Sequence, residues 1–427
     1  MKHLYIILLL GISVSISAQQ VEKASFGTFL LKNGIVYSHE NGLVKSDLLI
    51  QGGKIVQLGS NLSSEAAQLI DCKGLEIYPG MIDAGTKLGL AEIGAVSLTQ
   101  DYNEIGEFTP HMQALTAINP NSVNIPVNRV NGITTVVAMP SGGLFPGTAA
   151  AIDLQGYTPE QMYAGFKAPI LRFPSSGKKN RWDKRSKEDI KKANKKNFKK
   201  LNDFWKNLKV YADLKTRQAE GLDYNPQMDA LVDVALGKTP LMIEVNKKTD
   251  ILKAIAWVNK EKIQSIFCGV AEGYRTIDSL VKYKIPVITG PILANPSRSS
   301  DKYDAAYTNA GLMQKAGLQV AIRTNETENV RNLPYNAGFA ATYGMGRMEA
   351  FRAVTQVPAD ILGIGDQCGS LEIGKKANLF VTDGDPFETA SQVKYLFIKG
   401  WNIPLESRHT LLYDEFLERE PGLLEKK

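Results

Sequence analysis

The feature that most constrains the fold is a regular alternation of short apolar runs with helical patterns in the middle of the chain. The runs are rich in β-branched residues and nearly continuous, as expected of strands buried on both faces. They cover residues 132–139, 240–245, 263–267, 286–289 and 318–322. Strands that alternate with helices predict a parallel sheet, and the length and spacing favour a barrel.

Helical patterns separate these runs. Thr249 is placed to cap a helix whose apolar positions recur at helical spacing, and residues 274–283 predict a second helix. Pro334 opens a third helix, at the first position, where proline costs least. These elements complete the alternating α/β pattern.

Short strands with tight turns are predicted at both ends of the chain. In residues 26–77 the dipeptides Asn33-Gly34 and Gly52-Gly53 each separate two apolar runs, a pattern typical of hairpins. In residues 366–405 further strands lead into a turn at Gly400. The sequence predicts strands at both ends but does not itself pair them.

Residues 1–18 predict a secretory leader. Lys2 and His3 precede an apolar run that ends in small residues at Ala18. The run is too short for a comfortable membrane span. We therefore expect a periplasmic or secreted protein, in which Cys72, Cys268 and Cys368 are small buried hydrophobes rather than a disulfide framework.

A lysine-rich helical insertion is predicted at about 173–228. Within it, residues 178–209 contain fourteen Lys and Arg against four acids, and Ser186 with Asp189 resembles a capping box. An apolar face recurs at helical spacing, through Ile190, Asn194, Phe198, Leu201, Trp205 and Leu208. One interpretation is a solvated amphipathic helix lying on the barrel. The other is a peripheral docking site for an acidic surface, polysaccharide or membrane headgroups; nucleic acid is not an expected partner of an exported protein.

Four motifs identify the ancestry. Residues 78–90 read YPGMIDAGTKLGL, and residues 369–380 read GSLEIGKKANLF. Residues 101–120 (DYNEIGEFTPHMQALTAINP) and 331–345 (RNLPYNAGFAATYGM) add to the pattern. Together they resemble the amidohydrolase superfamily, in its imidazolonepropionase-like branch, over about residues 26–405. The resemblance implies a (β/α)8 TIM-like barrel at 78–365 and a small β-sandwich built from 26–77 and 366–405.

The same resemblance implies that the catalytic positions are replaced. Gly85 and Lys87 stand at the two first-strand histidines, Glu244 at the fifth-strand histidine, Gly269 after Cys268 at the sixth-strand histidine, and Asn325 at the eighth-strand aspartate. Glycine offers a metal no lone pair, and a protonated lysine repels one. An amide cannot take a proton from water as a general base does. Relatives use zinc or another divalent metal; here we expect no metal and no other cofactor.

Histidine content points the same way. The chain has four histidines, whereas a two-metal hydrolase of this family needs about four imidazoles converging on one site. His3 lies in the leader, and none of the other three falls at a ligand position. The fourth-strand bridging residue cannot be aligned, and Lys209 and Lys215 are candidates by location alone.

Two hypotheses address what fills the degenerate site. In the first, Lys87 and Glu244 form an ion pair or share a water, joined by Arg323 and Asp83, because an unpaired charge there would be costly. In the second, Lys87 extends to solvent and Glu244 pairs with a loop amide.

Three functions remain open. The first is a non-catalytic binding protein that uses Lys87, Glu244, Cys268, Arg323 and Asn325 to hold an active amidohydrolase paralogue or a small-molecule ligand, within a homo- or hetero-oligomer. The second is an active hydrolase of C–N bonds with an altered or metal-free site, using Asp83, Lys87 and Glu244, with Cys268 as nucleophile. The third is a protein that docks to surfaces through its basic helix.

Overall fold

The computed structural model describes residues 23–177, 183–296 and 301–419, so the predicted leader 1–18 lies outside the described residues. The strands are β1 (Ser25–Phe26), β2 (Phe29–Ser38), β3 (Gly42–Gln51), β4 (Lys54–Gly59), β5 (Gln68–Asp71), β6 (Glu76–Pro79), β7 (Met81–Thr86), β8 (Ile133–Ala138), β9 (Gly147–Asp153), β10 (Tyr163–Arg172), β11 (Leu241–Val245), β12 (Ser265–Gly269), β13 (Val287–Thr289), β14 (Val320–Ile322), β15 (Leu379–Thr382), β16 (Val393–Ile398) and β17 (Trp401–Ile403). The helices are α1 (Ala114–Ala117), α2 (Asn124–Arg129), α3 (Pro159–Met162), α4 (Lys187–Thr216), α5 (Pro226–Asp229), α6 (Val232–Ala235), α7 (Lys248–Glu261), α8 (Ile277–Lys282), α9 (Ala305–Lys315), α10 (Leu333–Ala340), α11 (Arg347–Arg352), α12 (Gln356–Ile361) and α13 (Arg408–Arg419).

The predicted barrel is confirmed: β7 to β14 follow one another in an eight-stranded sheet. Strands β10 to β14 are parallel, and β7 is parallel to β8. Strand β9 is antiparallel to both of its neighbours, so the expectation of a wholly parallel sheet is wrong there. Residues 139–146 join β8 to β9, and so short a link cannot make the crossover that a parallel pair requires.

The barrel comes near to closing where β14 meets β7. The backbone N–H of Asn325 donates to the carbonyl of Gly85 at 3.0 Å, and that of Lys87 donates to Glu326 at 2.9 Å. Side chains that alternate along the strands fill the interior, among them Ile82, Ala84, Met242, Cys268 and Ala321. The next inward positions, at the carboxyl ends of the strands, therefore form a mouth at one end of the barrel.

The two ends of the chain build a second sheet of nine strands. Strand β15 pairs with β6, and β1 pairs with β17, which is the pairing that the resemblance implied. The hairpin at Gly52-Gly53 is confirmed by the pairing of β3 with β4. The predicted hairpin at Asn33-Gly34 is wrong, because β2 runs straight through it with a shift of register. Asn33 takes the left-handed conformation, and Gly34 lets Ile77 pack closely, so the dipeptide forms a bulge.

The Pro79-Gly80 step links the two sheets. A Cβ on Gly80 would lie 2.2 Å from Oγ1 of Thr134 on β8, so a larger residue would separate β7 from β8. The N–H of Gly80 donates to the carbonyl of Asn378 at 2.8 Å, which ties the barrel to the motif at residues 369–380.

The lysine-rich segment is part of the barrel's own connectivity. Helix α4 lies between the parallel strands β10 and β11, so it is part of the connection between them. That residues 173–228 are an insertion relative to the family stays a prediction. Its predicted cap is confirmed, since the Ser186 hydroxyl accepts from the N–H of Asp189 at 3.0 Å. Its buried side chains are Ile190, Leu201, Trp205, Leu208, Tyr211 and Ala212.

Two further helix predictions have different outcomes. The helix predicted at Pro334 is confirmed as α10, but it begins at Leu333, so Pro334 is its second residue and not its first. Thr249 does not cap its helix, because α7 begins one residue earlier, at Lys248. Within the three described ranges, no helix has both the length and the apolar character that crossing a bilayer requires.

Candidate functional site

An ion pair crosses the mouth of the barrel. Arg323, just after β14, donates from both terminal nitrogens to the two oxygens of Glu244 on β11, at 2.8 and 2.7 Å. The Arg323 side chain is 3% exposed and that of Glu244 is 24% exposed. Burial alone would raise the pKa of Glu244, but the charge and hydrogen bonds of Arg323 lower it instead. Glu244 in turn holds the pKa of Arg323 above its ordinary value against the effect of burial. Both groups are therefore charged at neutral pH.

The pair occupies the space above two glycines. A Cβ on Gly85 would lie 2.7 Å from Cδ of Arg323, and a Cβ on Gly269 would lie 2.8 Å from Oε1 of Glu244. Any larger side chain at either position would displace the pair. The Arg323–Glu244 pair therefore covers Gly85 and Gly269, the two positions at which the resemblance implies family histidines.

Lys87 does not join this pair. Its Nζ lies over the ring of Tyr102, 4.5 Å from the centroid, and in the described part of the chain it forms no ion pair with Glu244. The predicted Lys87–Glu244 ion pair is therefore wrong, because Arg323 takes both carboxylate oxygens. Burial lowers the pKa of Lys87, and the nearby charges of Arg172 and Arg323 lower it further.

Asp83 lies beneath the mouth and is fully buried. It accepts hydrogen bonds from the Thr324 hydroxyl at 2.5 Å, the Thr324 N–H at 3.2 Å and the Gly85 N–H at 3.0 Å. Burial raises the pKa of Asp83 to about 7 in spite of these donors. Its contacts tie β7 to the segment after β14, which is a structural use of this carboxyl.

Cys268 and Asn325 differ in exposure. Cys268 lies beside Glu244 across the β11–β12 ladder, fully buried, and burial raises the pKa of its thiol to about 12. A thiol in that state is a poor nucleophile. Asn325 is exposed and has a left-handed backbone. The mouth thus brings Glu244, Arg323, Lys87 and Asp83 together, whereas Asn325 lies at its rim.

Arg172 is the residue of the mouth that sequence reasoning missed. It ends β10, the fourth barrel strand, and lies beside Glu244 in the β10–β11 ladder. Its guanidinium donates to the carbonyl of Gly142. The signal was an arginine directly after the apolar run 168–171, which was not recognised as a strand.

The two lysines considered for that fourth-strand position lie elsewhere. Lys209 forms an ion pair with Glu261 at the end of α7, and Lys215 forms one with Asp229 on α5. Both are on α4, outside the barrel. The predicted candidacy of Lys209 and Lys215 is therefore wrong, since the residue that ends the fourth barrel strand is Arg172.

The residues at the mouth do not fit a divalent metal. Gly85 and Gly269 have no side-chain donor atoms, Glu244 already accepts from Arg323, and Lys87 and Arg172 add positive charge. Among the described residues, no cluster of three or more His, Cys, Asp or Glu side chains is arranged to hold a metal ion.

Comparisons with known proteins agree with the fold and the motifs. A model of the amidohydrolase family matches residues 295–402. A dihydroorotase from Bacillus cytotoxicus is 42% identical over 60 residues, which is 14% of this chain and 14% of that protein. A D-hydantoinase from Geobacillus stearothermophilus is 37% identical over 91 residues, 21% of this chain and 19% of that one. The chain thus matches only a small part of the length of these curated relatives.

The likeness is much more extensive in structure. An amidohydrolase from Thermotoga maritima MSB8 superposes with a TM-score of 0.76, at 25% sequence identity, over 88% of this chain and 99% of that chain. The imidazolonepropionase-like branch stays a prediction. The barrel, the sheet that joins both chain ends, the family model and this structural match have one common explanation, namely that the chain belongs to the amidohydrolase superfamily.

Proposed function

We propose that this amidohydrolase-family protein has lost metal-assisted hydrolysis of C–N bonds and acts as a binding or partner subunit. One observation carries the proposal: the Arg323–Glu244 pair lies directly over Gly85 and Gly269. A guanidinium there supplies a fixed positive charge but cannot lower the pKa of a bound water as a metal does. Metal activation of water therefore has no support in this set of side chains.

The remaining acid–base groups support the same proposal. Glu244 has a lowered pKa and is engaged by Arg323, so it is a weak base. Asn325 cannot accept a proton from water, and the Cys268 thiol is buried. No step of the family's reaction is assigned to these groups.

Exposed apolar side chains in the segment after β7 support a partner role. Leu98 is 92% exposed and Ile105 is fully exposed, in the segment that also carries Tyr102. Apolar groups concentrated at one place on a surface mark interaction sites. We propose that this segment contacts another amidohydrolase-family subunit, either a paralogue or a second copy of this chain.

Location and surface contacts are part of the proposal. The leader-like residues 1–18 support export to the periplasm or outside the cell. The exposed lysines of α4, within residues 178–209, support peripheral contact with an acidic surface. Neither export nor contact with an acidic surface requires chemistry at the barrel mouth.

An active hydrolase with an altered, metal-free site is the alternative. It is favoured by Asp83, because a carboxyl whose pKa is about 7 has the strength of a general base at neutral pH. Against it, Asp83 is fully buried and is bonded by Thr324 and Gly85.

Metal analysis combined with turnover tests the proposal. The full chain would be incubated with Zn²⁺ or Mn²⁺, gel-filtered, analysed for bound metal, and assayed on cyclic amides and N-acyl amino acids. We expect substoichiometric metal and no cleavage above background. Stoichiometric metal, or amide cleavage that is lost in both Asp83→Asn and Glu244→Gln but retained in the surface variant Asp366→Asn, would overturn it.

A further inference from the structure

Lys87 and Arg172 are cations without a carboxylate partner in the described part of the chain. Lys87 is half-buried against the Tyr102 ring, and the guanidinium of Arg172 donates to the carbonyl of Gly142. Glu244, which lies beside Arg172 in the β10–β11 ladder, is already held by both terminal nitrogens of Arg323. Within the described residues, neither Lys87 nor Arg172 therefore forms an ion pair of its own, although Glu244 and Glu326 attract Lys87.

Two loops bring these cations together. The carbonyl of Tyr102 accepts from the N–H of Ser141 at 2.7 Å, so the ring that carries Lys87 is fixed to the loop that follows β8. Gly142, next in that loop, accepts from Arg172. Lys87 and Arg172 therefore flank one short stretch of backbone, on the same side of the mouth.

Glycine permits this contact between the loops. A Cβ on Gly143 would lie 2.5 Å from the carbonyl oxygen of Gly106 and 2.5 Å from Cα of Glu107. The N–H groups of Leu144 and Phe145 both donate to the carbonyl of Glu107, at 2.7 and 2.9 Å. The arrangement of the two cations is thus held by backbone contacts rather than by a flexible surface.

We propose that this mouth binds a small organic acid, whose carboxylate lies between Lys87 and Arg172. The proposal rests on the proposed function, since it requires that no metal occupies the mouth. Where relatives arrange neutral and anionic donors around a cation, this chain arranges cations, so the charge preference of the site is reversed. The family's metal positions have become part of an anion site.

The neighbouring charges are consistent with a single carboxylate. Arg323 lies behind Lys87 and Arg172, but its positive charge is neutralised by Glu244. Glu326, exposed at the rim, and Asp83, buried below, are the other carboxyls near the mouth. A planar guanidinium presents two parallel donors to a carboxylate, and a lysine on an aromatic face presents its remaining donors to the same anion.

Calorimetric titration of the full chain tests the proposal. The probes are succinate, inorganic phosphate and the neutral analogue succinamide, at low ionic strength so that screening is small. The variants are Arg172→Gln, Lys87→Gln and the double variant, with Lys192→Gln on the exposed face of α4 as the matched control. Thermal unfolding of each variant verifies that it is folded.

Succinate should bind and succinamide should not. Each single variant should weaken succinate binding about tenfold, and the double variant should abolish it, because each removes one charge-assisted contact. Lys192→Gln should bind as the wild type does. Equal loss in Lys192→Gln, or succinate affinity unchanged in the folded double variant, would overturn the proposal.

Two outcomes separate the proposal from others. Binding of phosphate but not succinate by the same two residues would overturn the assignment of a carboxylate. Absence of succinate binding by a protein that is also metal-free and inactive would overturn the anion site while leaving the proposed loss of catalysis intact. Stoichiometric metal with amide cleavage would overturn both.

Discussion

The barrel mouth and the nine-stranded sheet differ in how they depart from the pattern that the resemblance to the amidohydrolase superfamily implies. In the sheet, Asn378 of the motif at residues 369–380 stands where the resemblance implies aspartate, yet its amide still connects the elements. Its side chain donates to Asp153 of β9 at 3.0 Å and accepts from the N–H of Lys399 at 2.7 Å. At the mouth, by contrast, the resemblance implies that Gly85, Lys87 and Glu244 stand where relatives have histidine donors.

This difference separates folding from chemistry. The sheet and its junction with the barrel are held by packing and by backbone hydrogen bonds, which do not depend on a metal. The mouth depends instead on the pairing of its charges, because a charge left there without a partner would be destabilising. The Arg323–Glu244 ion pair supplies that pairing. The following predictions test this contrast.

The largest effect is expected at the junction. Phe380 is fully buried on β15, where its ring stacks on Tyr78 at 5.5 Å between centroids. Phe380→Ala should lower the free energy of unfolding by about 4 kcal/mol, because it removes a large buried ring and leaves a cavity. Chemical denaturation measures the change. Phe416→Ala, at a side chain that is 59% exposed, is the control, and equal effects of the two changes would contradict the role given to the junction.

The next effect is expected at the mouth. Arg323→Ala should cost about 3 kcal/mol of unfolding free energy, because Glu244 would lose its partner in a partly dehydrated site. The double variant Arg323→Met, Glu244→Leu should recover most of that loss, since no charge is then stranded. Arg217→Ala, which breaks an exposed ion pair with Asp213, should cost well below about 1 kcal/mol. A double variant no more stable than Arg323→Ala would show that the pair does more than neutralise its own charges.

The smallest effect is a pH dependence from Asp83. Its pKa is about 7 in the folded protein and 3.8 ordinarily, so the folded state keeps the proton to higher pH than the unfolded state. Stability from this group is therefore present in acid and is lost as pH rises from about 4 to about 7. Glu244, with its lowered pKa, has the opposite sign and acts only as pH falls through and below its ordinary value of 4.5.

Melting temperature measured across this range isolates the Asp83 contribution. In the wild type the melting temperature should fall between about pH 5 and about pH 7. Asp83→Asn should make this fall smaller, because the amide stays neutral throughout. Asp366→Asn, on the surface, should follow the wild-type curve. Parallel curves for wild type and Asp83→Asn would show that Asp83 is ionised across the range.

Much of the fold could be predicted because its signals are local. Five apolar runs became strands β8 and β11 to β14, and the capping pair Ser186 and Asp189 opened α4 as expected. The wrong predictions arose where one local sequence pattern is compatible with two different structures. Asn33-Gly34 suits both a turn and a bulge, and only the partners of β2 decide between them. Strands β9 and β10 were missed, and with them Arg172.

The sequence by itself determined the superfamily and the barrel, because their motifs and apolar runs are local signals. Residue identity also fixes which side chains can bind a metal or take a proton. Only the tertiary structure decided which charges meet. Arg323 rather than Lys87 reaches Glu244, and Lys87 instead lies on Tyr102. The physical reason is that pairing across a barrel depends on strand register, on whether a side chain points inward or outward, and on contacts between residues up to 241 positions apart. No single segment of the sequence contains that information.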